Sequence, residues 1–261
     1  MIDPPPPATS VKSAQRNPRR VRVFICVIAA ILLTTVAVAT AIEQLRSDRL
    51  RTRLLATNAD AIASDLRLRA FAEREAKPLY AAHCAQCHGA AMRGDSALGA
   101  PSLIDHHWLY GDGSIFDIER TLLYGIRSGQ SKSHHVTDMP AFGLTGRLNE
   151  SEIHNLVQYL LQLRGLAHQS AAASEGRAVY EDVARANCAD CHGDTARGDP
   201  DYGAPDLTVD LGDGRSDARV LYDAIYNGQH RVMPGWINVL TLEQIRALSV
   251  YVYLASRASG T

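Results

Sequence analysis

Methionine, tryptophan and cysteine are scarce in this chain of 261 residues, numbering four, two and five, and aromatic residues reach only 6%. Scarcity makes each one informative. Four of the cysteines fall into two close pairs and the fifth, Cys26, stands alone in an apolar run, so a disulfide framework has no natural set of partners. Basic residues are not clustered with aromatic ones on one segment, which argues against a nucleic-acid partner. The formal charge is −1, and ordinary apolar and charged fractions leave room for two small domains and some eighty further residues.

What is present is one pentapeptide twice: Cys84-Ala85-Gln86-Cys87-His88 and Cys188-Ala189-Asp190-Cys191-His192. Two thiols three positions apart lie on one helical turn and can add across the two vinyl groups of a haem, and the adjacent imidazole then lies under the iron. A zinc site would draw the two pairs together, yet Cys84 and Cys188 are 104 positions apart, each in its own copy of a longer repeat. A redox dithiol would sit in a βαβ pattern, whereas the flanks here are helical with glycine-rich loops. The motif therefore predicts two covalently bound c-type haems, attached through Cys84 and Cys87 and through Cys188 and Cys191, with His88 and His192 as iron ligands. No disulfide remains available.

The repeat is written in the letters. At an offset of 104, Arg93-Gly94-Asp95 faces Arg197-Gly198-Asp199, and Gly99-Ala100-Pro101-Ser102-Leu103 faces Gly203-Ala204-Pro205-Asp206-Leu207. Further on the spacing contracts, so that Met139-Pro140 faces Met233-Pro234 at an offset of 94. The sixth iron ligands follow by elimination among Met1, Met92, Met139 and Met233. Met1 is remote, and Met92 follows His88 too closely to reach the opposite haem face. Met139 follows His88 by 51 residues and Met233 follows His192 by 41, enough to cross over a haem, so the expected arrangement is one methionine per haem, Met139 opposite His88 and Met233 opposite His192. The following proline restrains each to an extended backbone. A methionine that only fills a core gap is the plain alternative, and His134 or His135, just before Met139, could substitute as a pH-dependent ligand.

Residues 23–42 contain no charge and are long enough to cross a bilayer as a helix. The leader before them, residues 1–22, carries five basic groups against Asp3, which favours keeping that end in the cytoplasm. A cleavable signal ending near Ala39-Thr40-Ala41 is the rival reading. Residues 43–75 predict a helical stalk of roughly 50 Å with Leu55, Ala59, Ile62, Leu66 and Ala70 on one side. Residues 76–165 and 176–261 form the two haem domains, joined by a linker over 166–175. Each should open on a helix leading into its cysteines and close on its own terminal helix, Ser151–Leu163 in the first and Leu242–Leu254 in the second. Trp108, Tyr110 and Trp236 would wall the haem pockets or fill core. Residues 171–261 hold 8 basic and 13 acidic groups, a candidate docking face for a basic electron donor or simply a solubilising charge.

With Trp108-Leu109-Tyr110-Gly111, Met139-Pro140-Ala141-Phe142, Val232-Met233-Pro234-Gly235-Trp236 and Ile245-Arg246-Ala247-Leu248 added to the haem motifs, the chain from Tyr80 onward resembles the di-haem subunit III of cbb3-type cytochrome c oxidases. That resemblance implies an all-α fold: an N-terminal transmembrane helix and stalk followed by two tandem cytochrome c domains in the bacterial periplasm. It implies electron transfer from the bc1 complex or a soluble cytochrome c towards oxidase core subunits, with no catalytic residue. A free-standing di-haem carrier similar to the cytochrome c4 group is the alternative. An enzyme acting at one open haem is a third reading, disfavoured by two methionine candidates that close both irons.

Overall fold

The computed structural model describes residues 18–95, 98–105, 107–134, 137–209 and 217–258. The leader before Pro18 lies outside them, as do His106 and His135. Among the described residues the chain is helical, with only isolated bridges between loops. It divides into two units, residues 1–49 and 50–261.

The first unit holds most of helix α1 (Pro18–Ala56). The apolar side chains Val27, Ile31, Leu32, Leu33, Val36 and Val38 are exposed around its circumference, the pattern of a helix whose solvent is lipid. Thr34, Thr35 and Thr40 donate their hydroxyls to carbonyls three residues back, at 2.8, 2.8 and 2.9 Å. This hides the polar groups that hydrocarbon could not satisfy.

From Leu50 on, the predicted stalk is replaced by a folded corner. Asn58 caps the short α2 (Ala59–Ile62), and the Asp65 carboxylate accepts from Arg67 N and Leu68 N to start α3 (Leu66–His83). Two N-caps within eight residues break the helix and reset its phase. Leu66 and Ala70 therefore face solvent, while Leu54, Ile62, Leu68, Phe71, Ala72 and Ala76 are buried. Residues 50–75 therefore lend a buried face to the core and are not a free spacer.

The remaining helices are α4 (Ala85–His88), α5 (Ile115–Tyr124), α6 (Glu150–Leu163), α7 (Ser170–Glu181), α8 (Cys188–His192), α9 (Ala218–Asn227) and α10 (Leu242–Ala258). Their packing departs from the expected closure of each domain on itself. Helix α10 crosses α3 and α5 of the first segment, and α6 packs on α7 and α9 of the second. Ile245, Leu248, Val250 and Val252 join a core with Leu68, Phe71, Tyr80, Ile118 and Leu122. Ile153, Leu156, Val157 and Leu160 join another with Tyr180, Leu221 and Ile225.

The reason is local. Only five residues separate α6 from the capping position of α7, so the two fold as an antiparallel hairpin, the cheapest contact in loop entropy. At Gly176 an added Cβ would lie 1.9 Å from the Asn155 carbonyl oxygen, so glycine lets these helices touch backbone to backbone. With α6 so engaged, α3 is left for α10 to close. Arg246 of α10 pairs with Glu119 of α5, both side chains largely buried, and its Nη1 donates to the carbonyls of Leu54 and Thr57 at 3.4 and 3.2 Å.

Candidate haem-binding sites

Each cysteine pair is delivered by the same local design. Tyr80 on α3 donates its hydroxyl to the Gly89 carbonyl at 2.7 Å, and Tyr180 on α7 does the same to Gly193 at 2.7 Å. These bonds fix the far end of α4 and α8 against the opening helix. Each tyrosine ring meets an aromatic of the exchanged closing helix edge-on: Tyr80 with Tyr251 at 5.9 Å, and Tyr180 with Tyr159 at 5.5 Å. Tyr251 thus packs on the first segment's opening helix, although its own helix was expected to close the second domain.

The shared glycine-rich letters now have a purpose. Gly94 and Gly198 have φ of +77° and +79°, and a Cβ on either would strike Ala100 or Ala204 carbonyl oxygen at 2.5 or 2.3 Å. Their amides donate to the carbonyls of His88 and His192 at 2.9 Å each. Asp95 and Ala100 exchange paired backbone bonds, as do Asp199 and Ala204. The loop so closed aims the Pro101 carbonyl at His88 Nδ1, 3.0 Å away, and the Pro205 carbonyl at His192 Nδ1, 3.1 Å away.

A carbonyl can only accept, so Nδ1 carries the proton and Nε2 keeps its lone pair, the tautomer a metal-binding imidazole needs. Burial pulls both imidazoles below their usual pKa, with the proline carbonyls acting in the opposite direction, which further favours the neutral ring. The four cysteines are free thiols with no disulfide among the described residues. Cys84 and Cys188 are partly buried against the two cores. The hydroxyl of Tyr110 is buried with no hydrogen-bond partner among the described residues, as expected where a polar edge of a bound group belongs. Paired thiols, an oriented imidazole and apolar walls fit a covalently held haem at each motif, and the first repeat adds an orphaned buried donor in Tyr110.

The methionines are placed crosswise, not within their own repeats as their spacing from His88 and His192 suggested. Met139 packs against the core that contains Cys188, and Met233 against the core that contains Cys84. Backbone pairs hold them there: Ile126 and Met233 exchange bonds of 2.9 and 3.0 Å, and Gln229 and Met139 exchange bonds of 3.0 and 3.3 Å. Gly125 and Gly228 permit the approach, since a Cβ would lie 2.3 Å from the Met233 oxygen or 2.5 Å from the Met139 oxygen. Met92 is buried in the first core at φ +59°, and its repeat partner is Ala196 at +57°. An alanine does the same job, so that thioether is packing.

His134 stacks on Tyr110 at 4.2 Å and shares a hydrogen bond with Thr121 Oγ1 at 3.1 Å. Trp108 and Trp236 both border the first core, and Trp236, from the second repeat, tilts against His83 at 5.1 Å. The residues that sequence reasoning missed are those holding the methionines: Gly125, Ile126, Gly228 and Gln229. Their signal was the glycine that ends each preceding helix, Gly125 after α5 and Gly228 after α9, which lies outside the metal-binding residue types.

Two helical cores, each with a thiol pair and an oriented imidazole, define a c-type cytochrome with two covalently bound haems. The description Cytochrome c matches residues 74–164, and Cytochrome C oxidase, cbb3-type, subunit III matches residues 171–252. The chain is 39% identical over 213 residues to the cbb3-type cytochrome c oxidase subunit FixP of Bradyrhizobium sp. (strain ORS 278), covering 81% of this chain and 70% of that protein. It is 35% identical over 204 residues to subunit CcoP of Cereibacter sphaeroides, covering 78% and 68%. Against FixP of Bradyrhizobium diazoefficiens it is 36% identical over 213 residues, covering 81% and 70%. The chain belongs to the subunit III family of cbb3-type cytochrome c oxidases. Among the described residues one helix, near the N-terminus, is long and apolar enough to cross a membrane, and the chain is a single-pass membrane protein.

Proposed function

We propose that the iron ligands are exchanged between the repeats: His88 and Met233 at the haem bound by Cys84 and Cys87, His192 and Met139 at the haem bound by Cys188 and Cys191. The observation that carries this is the pairing of each Met-Pro loop with the opposite segment, Met233 with Ile126 and Met139 with Gln229. The haems supply reversible one-electron chemistry at iron. With an imidazole and a thioether as its two protein ligands, each iron would have a raised reduction potential and would favour electron transfer over oxygen or peroxide binding.

The protein is a membrane-anchored di-haem cytochrome that delivers electrons towards a terminal oxidase, in association with oxidase core subunits. Residues 23–42 anchor it in the bacterial inner membrane with both haem units in the periplasm, where c-type haem is attached; the basic leader supports that orientation. The donor is the bc1 complex or a soluble cytochrome c. The excess of five acidic groups in residues 171–261 supports a basic donor at the second unit.

Purification from native membranes in mild detergent tests the reading. Co-purifying b-type haem with oxygen uptake is the expected result, and c-type haem alone, two per chain, would point to a free-standing carrier. Reduction by a basic cytochrome should slow as salt rises, and a salt-independent rate would remove the docking face.

A further inference from the structure

Arg127 sits where the two methionine loops meet, and its backbone is unusual. Its φ is +51°, a left-handed conformation that a long side chain adopts only when its surroundings require it. The guanidinium reaches both loops. Nε lies 3.1 Å from Asp138 Oδ1, an ion-pair contact whose N–H points off the hydrogen-bond line, and Asp138 is the residue before Met139. Nη1 donates to the Arg231 carbonyl at 3.1 Å, two residues before Met233.

The same carboxylate faces the pseudo-equivalent residue of the other repeat. Gly125-Ile126-Arg127 corresponds to Gly228-Gln229-His230, and His230 Nδ1 is 3.4 Å from Asp138 Oδ2. The arrangement is one-sided, because the residue before Met233 is Val232, exposed and uncharged. One cation therefore serves both loops. The Nε atom is shielded from solvent while the Asp138 side chain is 54% exposed, so water weakens their attraction from the carboxylate side only.

We propose that Arg127 is a positioning residue for both axial methionines, one guanidinium locking the Met139 loop through Asp138 and the Met233 loop through the Arg231 carbonyl. This rests on the crosswise ligation above. Its consequence is that the stability of the iron–thioether bond at either haem depends on a side chain that touches neither iron.

The test uses the full ferric holoprotein in two backgrounds, Met139→His and Met233→His, each keeping one thioether ligand. Imidazole is titrated against the long-wavelength absorption band of the remaining iron–thioether bond. Arg127→Met should raise imidazole affinity about tenfold in both backgrounds, the effect of losing a charge-assisted hydrogen bond at the Met233 loop and a close ion pair at the Met139 loop. Affinity unchanged within about twofold in either background would overturn the proposal.

Should Arg127→Met yield no folded holoprotein, Arg127→Lys decides. An ammonium can keep Asp138 but not both contacts, so the bond to Met233 should weaken while that to Met139 holds. Unchanged affinity at the Met233 iron would overturn the proposal. The two backgrounds also separate this inference from the ligation it rests on. If neither Met→His change removes its share of the band, the ligation has failed; if both do and Arg127 variants behave as wild type, only the bracket has failed.

Discussion

Tyr80 and Tyr180 close their haem-attachment loops with identical bonds, yet the helices opposite them are held very differently. At the first haem site α10 is tied to α5 by Arg246 and Glu119, whose side chains are 15% and 12% exposed. At the second, α6 is tied to the loop before α8 by Glu152 and Arg185, 18% and 44% exposed. The first core also gathers both tryptophans and extends to Leu54 at the end of α1. The loops that present ligands are thus duplicated faithfully, while the clasp is remade at each site. A clasp formed by a distant helix needs a buried ion pair; one formed by the next helix in the chain is already secured by a short connection.

That contrast sets the largest expected effect. Glu119→Ala leaves Arg246 buried without its anion and should cost about 3 kcal/mol in denaturant unfolding. Glu152→Ala exposes a more solvated partner and should cost about 1 kcal/mol or less. Equal losses would break the comparison between a buried and a solvated clasp.

Gly125→Ala and Gly228→Ala probe the methionine loops. Each adds a Cβ within 2.3 or 2.5 Å of a methionine carbonyl at a φ of +73° or +71°, costing about 2 kcal/mol in strain and displacement. The first should weaken the thioether band of the haem at His88 and the second that of the haem at His192, read in chains carrying a single haem.

Tyr80→Phe and Tyr180→Phe should each cost about 1 kcal/mol, because each loses one 2.7 Å bond to a glycine carbonyl. Matching losses in thermal unfolding would confirm that the attachment loops are equivalent, and a difference above about 1 kcal/mol would show that they are not.

The smallest effect is in acid. Glu152 is held below its ordinary value of 4.5, first by its hydrogen bond to Arg185 and then by the Asn149 amide. A lowered carboxylate pKa adds stability that is present above the unfolded value and lost as pH falls through the folded one. The second unit should therefore weaken below about pH 4.5, and Glu152→Gln should flatten that limb of the stability curve. An unaltered acid limb would remove Glu152 from the clasp.

Much of the site was legible in the letters. The thiol pairs, the histidines and the two Met-Pro loops are marked by residue types with narrow chemistry, and the helical class followed from periodicity and glycine-rich loops. The stalk was misjudged because Asn58 and Asp65 interrupt an apolar stripe that periodicity alone joins up. The exchange of α6 and α10 left no mark in either helix, since both are amphipathic and either would fit either core. It is decided by the short α6–α7 connection and by Gly176, features of spacing and backbone approach. Crosswise placement of the methionines follows from that exchange.

The most direct test is made on a chain with Cys84→Ser and Cys87→Ser, confirmed by mass to carry one haem, at Cys188 and Cys191. In the ferric state, Met139→Leu should abolish the iron–thioether band and lower the reduction potential, while Met233→Leu should leave both intact. The reverse pattern, with Met233 required and Met139 dispensable, would contradict the crosswise account.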